Sequence, residues 1–320
     1  MLRKVARPLF IYSSIVLCSF LIIGGCSTPT FETYSFQKAI GKEGAGNGEF
    51  HEPIGISIDG AGFIYVSDAG NNRIQKFSPK GKFITIWGQK GKQPGKLNHP
   101  MHMAFGPDGY LYVAEYLNDR IQVFDKQGKF IRFIGLRDDG SSYFDAPAGV
   151  AIDKRGNIYV ADFYHHKIKK FDAKGKFLQS IGKHGIIWGG KFNYPTDVEI
   201  GTDSNLYVAD AYNNRIQKFT LEGNFLNKWG GFLGFGVPFK WKGFFKVATG
   251  IALDSKNNLY VADFYNNRIQ KLSPKGKVLA TFGSSILKYP TDLTVDREGN
   301  IWVVDFGNNR IVKFKRRHNL

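Results

Sequence analysis

Short runs of alternating apolar and polar positions fill the chain from about residue 34 onward. In residues 54–58, isoleucine alternates with small or polar residues, the period of a β-strand with one buried face. A turn containing glycine separates this run from residues 64–66, a third run begins at Arg73, and a fourth covers residues 83–87. The pattern predicts four short strands, with a bulge or an early strand end near Phe77, where the period of two fails.

This unit of four predicted strands occurs six times. The copies begin at Pro53, Pro100, Pro147, Pro195, Ala248 and Pro290. A repeat of four strands with a period of about 40–50 residues is typical of a β-propeller blade. The predicted fold class is therefore all-β: a six-bladed propeller of four-stranded antiparallel blades.

The two ends of the repeat region complement each other. The sixth copy ends at Phe314 without a fourth strand, and residues 34–41 resemble the fourth strands of the other copies. Pairing this early segment with the last blade would cover an exposed sheet edge and close the ring. We therefore expect an N-terminal strand to complete blade six.

The most regular part of each unit is a Y-V-A-D turn followed by N-N-R-I. In the fourth copy it contains Asp210, Asn213, Asn214, Arg215 and Ile216. These residues resemble the NHL family of six-bladed propellers. The resemblance implies the fold but not one function, because that family includes lyases, RNA-binding proteins, sensors and scaffolds.

The first 26 residues have the pattern of an export signal. A positively charged start precedes an apolar run over residues 9–23 that is too short for a convincing membrane span. The sequence Ile23-Gly24-Gly25-Cys26 resembles the lipobox of bacterial lipoproteins. We expect residues 1–25 to be a signal peptide, Cys26 to carry the lipid, residues 26–33 to form a tether and residues 34–320 to form the propeller. An uncleaved signal anchor is the alternative.

This leader predicts location in the cell envelope, attached to a membrane through lipid on Cys26. Ser27 follows the cysteine, which in a Gram-negative host indicates the outer membrane. Cys18 and Cys26 are the two cysteines of the chain, so the repeats hold neither a disulfide framework nor a thiolate metal site.

The chain is basic, with a formal net charge of +17. Pairs of lysines lie in the predicted turns between third and fourth strands, namely Lys80 and Lys82, Lys126 and Lys129, Lys174 and Lys176, Lys275 and Lys277. In a propeller these turns share one face. That face is expected to lie toward anionic lipid head groups, or else simply to keep the protein soluble.

A carboxylate and a cation recur five residues apart in every copy. The carboxylates are Asp68, Glu115, Asp162, Asp210, Asp263 and Asp305, and the cations are Arg73, Arg120, Lys167, Arg215, Arg268 and Arg310. Because catalysis needs asymmetry and this pattern is repeated six times, we interpret these pairs as structural supports of a polar turn. Candidate functional residues are instead those that break the repeat.

One such set lies on the predicted first strands, which line the axis of a propeller. His102, Asp197 and Asp292 occur two residues after the opening position of blades two, four and six, where the other blades have glycine, and Glu199 adds a carboxylate. This set is a candidate polar site in the channel. It could bind a cation or a polar ligand, or it could hydrogen-bond channel water and backbone.

The connection from blade four to blade five, residues 230–247, is unusually aromatic. It contains Phe232, Phe235, Phe239, Trp241, Phe244 and Phe245. Aromatic side chains in a loop either pack on the protein itself or contact a partner. We consider both outcomes for this loop.

The function predicted from these features is a non-enzymatic recognition or scaffold module for a protein, peptide or glycan, built as a monomeric propeller. The alternative is a lyase-like propeller enzyme with a polar or metal site in its channel. The zinc-binding histidines typical of the related amidating lyases follow the opening proline, and this chain lacks histidine there. No catalytic residue, metal or cofactor is therefore assigned, and nucleic acid is not expected as a partner of an exported protein.

Overall fold

A computed structural model describes residues 31–231 and 242–317 of the chain, and it is an all-β, six-bladed propeller. This confirms the fold class predicted from the repeats. The strands of blades one to three are β2 (Pro53–Ile58), β3 (Ile64–Asp68), β4 (Arg73–Phe77), β5 (Phe83–Trp87), β6 (Pro100–Phe105), β7 (Leu111–Glu115), β8 (Arg120–Phe124), β9 (Phe130–Ile134), β10 (Pro147–Ile152), β11 (Ile158–Asp162), β12 (Lys167–Phe171) and β13 (Phe177–Ile181), preceded by β1 (Thr33–Ile40).

The second half of the chain repeats this arrangement after a small parallel pair, β14 (Lys183–His184) and β15 (Lys191–Phe192). The strands of blades four to six are β16 (Pro195–Ile200), β17 (Asn205–Asp210), β18 (Arg215–Thr220), β19 (Phe225–Gly230), β20 (Ala248–Leu253), β21 (Leu259–Asp263), β22 (Arg268–Leu272), β23 (Val278–Phe282), β24 (Pro290–Val295), β25 (Ile301–Asp305) and β26 (Arg310–Arg317). Short 3₁₀ turns cover Ala211–Asn213, Phe264–Asn266 and Phe306–Asn308. Within the described residues, no helix is long and apolar enough to cross a membrane.

Strand β1 closes the ring, as expected. It pairs antiparallel with β26 and completes a four-stranded sheet in the order β1-β26-β25-β24. Tyr34 of β1 stacks on Phe282 of blade five with ring centroids 4.2 Å apart, so the strand also contacts the neighbouring blade. The first strands of all six blades contact one another in ring order, from β2 through β6, β10, β16, β20 and β24 back to β2.

The irregularity expected near Phe77 is present. Pairing of β4 with β5 shifts register between Lys76 and Phe77, so that Ile74 and Phe77 are both fully buried. The hydrophobic core lies between adjacent blades rather than within one sheet; one cluster joins Tyr65 of blade one to Leu111 and Phe124 of blade two.

In every blade but the third, the repeated carboxylate and cation form an ion pair that braces the end of the second strand. Asp210 accepts hydrogen bonds from Arg215 Nε at 2.6 Å, from Gln217 at 2.9 Å and from the backbone N–H of Asn193 at 2.7 Å. The brace thus fixes the inter-blade connection to the sheet, in agreement with a structural role.

Blade three departs from the expected pairing. Asp162 forms its ion pair with Lys169, at 2.7 Å, instead of with Lys167. Lys169 lies two residues further along β12 on the same face of the strand, at the place that glutamine takes in blades one, two, four and five. A buried lysine therefore supplies the charge that arginine supplies elsewhere.

Candidate functional site in the central channel

The inner strands bring three of the predicted polar residues together. His102 lies on β6, Asp197 on β16 and Asp292 on β24, in alternate blades around the axis. The intervening blades need glycine at this level: a Cβ atom on Gly149 would be 2.6 Å from the Cα of Asp197, and one on Gly250 would be 2.7 Å from the Cα of Asp292. Three glycines therefore leave the space that three polar side chains occupy.

His102 points between the two carboxylates. Its Nδ1 is 3.3 Å from Oδ1 of Asp197 and 3.5 Å from Oδ2 of Asp292, and the residue is 4% exposed. Neither contact has hydrogen-bond geometry, and Nδ1 has no other partner among the described residues. A buried ring nitrogen without a hydrogen bond is uncommon in native proteins.

Backbone N–H groups orient both carboxylates. Asp197 accepts hydrogen bonds from Val198 of its own strand at 2.9 Å and from Ile251 of the next blade at 2.9 Å. Asp292 is bound in the same way, by Leu293 at 2.8 Å and by Ile56 of blade one at 2.8 Å. These bonds hold two carboxylate groups at fixed positions facing His102 and also join neighbouring blades.

Burial and charge shift the acidity of this cluster in different directions. Burial alone would lower the pKa of His102, but the carboxylates of Asp197 and Asp292 raise it well above its ordinary value. Burial raises the pKa of Asp197, and His102 reduces that effect. Burial, reinforced by the charge of Asp197, raises the pKa of Glu199 to about 8, so Glu199 carries a proton at neutral pH.

The cluster lies at a cavity of about 220 Å³ inside the ring. Ser57, Glu199 and Thr294 line the cavity toward the end of the first strands that leads into the second strands. The arrangement offers one imidazole nitrogen and several carboxylate oxygens around a small polar space. Such a site can hold a cation or exchange protons with a polar ligand.

The positions directly after the opening residue of each blade, where zinc-binding histidines were considered, have a different role in this protein. Three of them are threonines that hydrogen-bond carbonyl oxygens of the next blade. Thr196 donates to Thr249 at 2.7 Å, Thr249 to Pro290 at 3.1 Å, and Thr291 to Ile54 at 2.8 Å. These residues connect blades, so that zinc site is absent from the described first strands.

A second candidate surface was not predicted from the sequence. On the face formed by the turns between second and third strands, aromatic rings follow one another from blade two to blade six. They belong to Tyr116, Phe163, Tyr164, Tyr194, Tyr212, Phe264, Tyr265, Tyr289 and Phe306. Tyr164, Tyr212 and Tyr265 are each about half exposed, at 49%, 54% and 52%. We call this set the aromatic face.

The sequence did contain a signal for the aromatic face. Within the repeated unit, the two residues after the acidic turn residue vary from Ala69-Gly70 in blade one to Phe163-Tyr164 in blade three and Phe264-Tyr265 in blade five. The same face includes Trp188 of the connection between blades three and four, which is 68% exposed. These positions vary within an otherwise regular repeat, which is the same signal that identified the channel residues as candidates.

The aromatic loop predicted between blades four and five is described only in part. Phe232, Phe235, Phe239 and Trp241 lie outside the described residues, as does Cys26. Phe245 is fully buried and packs with Trp229 and Ile216 in the core between the two blades. Phe245 therefore packs on the protein itself, Phe244 is half-buried, and a role of this loop in partner binding stays a prediction.

Comparison with known proteins bears on the family and on the fold of this chain. A family model described as the Virginiamycin B lyase family matches residues 45–320. A solved structure of a catalytically inactive virginiamycin B lyase from Staphylococcus aureus with quinupristin superimposes with a TM-score of 0.60 and 19% identity, covering 89% of this chain and 88% of that one. A protein of unknown function from Bacteroides thetaiotaomicron gives a TM-score of 0.67 at 18% identity, covering 89% of this chain and 76% of that one. At such identities the likeness shows the fold.

Curated relatives match over a single short stretch. The mouse E3 ubiquitin-protein ligase TRIM71 is 51% identical over 45 residues, which is 14% of this chain and 5% of that protein. Protein lin-41 of Caenorhabditis elegans is 49% identical over 45 residues, 14% of this chain and 4% of that protein. The chain thus spans only a small fraction of these relatives. The resemblance to NHL repeats stays a prediction.

Proposed function

The chain belongs to the virginiamycin B lyase family, and from this starting point we propose that it is a non-enzymatic recognition module whose aromatic face binds a protein, peptide or glycan. The observation that carries the proposal is the series of aromatic rings on one face of the propeller, of which Tyr164, Tyr212 and Tyr265 are each about half exposed. Rings of neighbouring blades are in contact: the ring centroids of Phe163 in blade three and Tyr212 in blade four are 6.1 Å apart, and Tyr194 lies 4.8 Å from the first and 5.1 Å from the second.

The residue types of the aromatic face are those of a binding surface rather than of a surface that only keeps a protein soluble. Tyrosine offers a rigid apolar ring and a hydroxyl group, and aromatic residues dominate the binding energy of many interfaces. The face is also asymmetric, because blade one contributes Ala69 and Gly70 where other blades contribute rings. An asymmetric aromatic surface on a symmetric scaffold can hold one ligand in one orientation.

The remainder of the proposal concerns location. We propose that the protein is exported, lipidated on Cys26 and held in the cell envelope, where the propeller presents the aromatic face to its ligand. The lipobox-like sequence before Cys26 supports this proposal. Mass spectrometry of the N-terminal peptide from membranes would detect a diacylglyceryl group on Cys26, and an unmodified peptide beginning at Met1 would contradict it.

The binding proposal is tested by crosslinking in the envelope. A triple variant, Tyr164→Ser, Tyr212→Ser and Tyr265→Ser, should reduce capture of the crosslinked ligand about tenfold or more, because exposed rings at the centre of an interface carry most of its energy. The matched control removes three equally exposed apolar side chains from the outer strands, with Ile84→Ser, Leu178→Ser and Leu226→Ser. Equal capture by the parent, the triple tyrosine variant and the control variant would contradict the proposal.

A lyase remains a second candidate, favoured by the channel cluster. Glu199, whose pKa is raised to about 8, can accept and donate a proton near neutral pH, and the buried His102 lines the same cavity. A lyase of this family would consume virginiamycin B, detected as chromatographic loss of the intact compound, and His102→Gln would abolish that loss. Consumption that depends on His102 would replace the recognition proposal.

A further inference from the structure

We propose that the channel binds one divalent transition-metal ion, held by Nδ1 of His102 and by one carboxylate oxygen each from Asp197 and Asp292. The three ligand atoms come from β6, β16 and β24, so the ion would join blades two, four and six at the axis. The proposal does not depend on the aromatic face, because none of the three ligands belongs to that set.

The unpartnered nitrogen of His102 is the first observation behind the proposal. This nitrogen is buried, faces two carboxylate groups and forms no hydrogen bond within the described residues. A buried polar atom without a partner costs free energy, and a bound ion removes that cost. The six-fold pattern does not require a histidine at this position, because glycine takes it in blades one, three and five.

The distances between the donor atoms fit a metal. His102 Nδ1 is 3.3 Å from Asp197 Oδ1 and 3.5 Å from Asp292 Oδ2. Two ligands of a tetrahedral Zn²⁺ ion, each about 2.0–2.1 Å from the metal, lie roughly 3.3 Å apart. All three donor atoms lie within 4.8 Å of one another, so one ion can contact them with little movement of the side chains.

The residues around the cluster hold its ligands in place and leave space for them. Backbone N–H groups from Val198, Ile251, Leu293 and Ile56 fix both carboxylates, which is the second layer of contacts that orients metal ligands. Gly149 and Gly250 give the polar side chains their space. The adjoining cavity of about 220 Å³ leaves room for water at the remaining coordination position.

The donor set selects the class of metal. One imidazole and two carboxylates suit Zn²⁺, Co²⁺ or another first-row divalent ion, whereas Mg²⁺ and Ca²⁺ prefer oxygen ligands alone. When the ion replaces the proton on His102, the two carboxylates and the neutral imidazole balance the charge of one divalent ion. The expected role is to fix three inner strands in place, and the water position would allow a ligand in the channel to reach the metal.

Cobalt binding tests the proposal directly. The full chain, purified in detergent and stripped with a chelator, should bind one equivalent of Co²⁺ and develop visible absorption bands of a site with nitrogen and oxygen ligands. His102→Gln should weaken binding about 100-fold or more. Asp197→Asn, which removes the charge and keeps an acceptor oxygen for one of the two backbone N–H groups of Val198 and Ile251, should do the same, with its fold checked by thermal unfolding. His184→Gln, on the exposed β14, is the matched control and should leave binding unchanged.

The same titration can overturn the proposal. Binding well below one equivalent, or equal binding by the parent, His102→Gln and Asp197→Asn, would mean that no such site exists. Displacement of Co²⁺ by Ca²⁺ at similar concentration would contradict the assigned class of metal. Should His102→Gln fail to fold, as judged by its unfolding curve, Asp197→Asn and Asp292→Asn decide the outcome.

Discussion

At the residue scale, the ring depends on one turn residue in each blade that bonds to the next blade. The side chain of this residue accepts a hydrogen bond from the backbone N–H of the residue that precedes the first strand of the next blade. The pairs are Asn72 with His99, Asp119 with Ala146, His166 with Tyr194, Asn214 with Val247, Asn267 with Tyr289 and Asn309 with Glu52. All six acceptor residues have positive φ, a conformation that asparagine and aspartate tolerate well. The last pair closes the ring between blades six and one.

His166 makes this contact sensitive to pH. Its Nδ1 accepts the N–H of Tyr194 at 3.0 Å, which requires an unprotonated nitrogen. Burial, together with the nearby His184 and His165, lowers the pKa of His166 below its ordinary value of 6.5. Since the unfolded chain then binds the proton more readily than the folded chain, the stability from this group is complete above about pH 6.5 and falls as pH decreases through that value.

We therefore expect the melting temperature to fall more steeply in the parent than in His166→Asn when pH is lowered from 7.5 to 5.5. Asparagine stands at this position in four other blades, so the variant retains the inter-blade hydrogen bond without the titrating group. The measurement is thermal unfolding at a series of pH values. Parallel curves for the two proteins would show that this contact does not titrate.

At the scale of elements, β1 is the strand on which closure rests. Besides pairing with β26, it places the Tyr34 hydroxyl 3.2 Å from that of Tyr260, and the adjoining Glu32 forms an ion pair with Lys271 at 2.8 Å. Without β1, the strand β26 would be an exposed sheet edge, which favours association with other chains. A segment far from the last blade in sequence thus supplies its outer strand.

Removal of β1 should lower stability markedly. A chain that begins at Lys42 is expected to melt roughly 10 °C below a chain that begins at Phe31, because the loss of several kcal/mol of packing shifts the melting temperature by a few degrees per kcal/mol in a domain of this size. It should also elute as larger species in size-exclusion chromatography. Equal melting temperatures and a monomeric elution for both chains would contradict closure by β1.

At the scale of the whole molecule, the two faces of the propeller differ in chemistry. The eight lysines of the turns between third and fourth strands, from Lys80 to Lys277, are all exposed. Antiparallel pairing puts these turns at one face and the turns that carry the aromatic rings at the other. We propose that the lysine face lies toward anionic lipid while the aromatic face points away from the membrane.

Two four-lysine variants test this orientation with equal changes in charge. In the first, Lys80, Lys126, Lys174 and Lys275 become glutamine; in the second, the exposed Lys90, Lys92, Lys183 and Lys246 of the opposite face do so. For a chain beginning at Phe31, the first set should weaken binding to phosphatidylserine vesicles about tenfold or more at low salt, since each cation near the surface contributes about 1 kcal/mol. Equal weakening by both sets would leave only a nonspecific effect of net charge.

The repeat determined most of this fold in advance. Strand positions, the number of blades, the bulge near Phe77 and the closing strand all follow from a period that is local and repeated six times. The channel residues could also be identified, because His102, Asp197 and Asp292 replace glycine at an otherwise regular position. Their type and place in the repeat were visible in the sequence, and the first strands of a propeller always line its axis.

Distances between blades were decided by the tertiary structure alone. Only packing of the inner strands brings His102 within 3.5 Å of both carboxylates and leaves its nitrogen without a hydrogen bond. The burial of Phe245 also depends on contacts with residues of blades four and five, and the choice of Lys169 over Lys167 as the partner of Asp162 depends on side-chain packing within blade three. A local period specifies each blade, but the rotation from one blade to the next sets which side chains meet at the axis and on the faces.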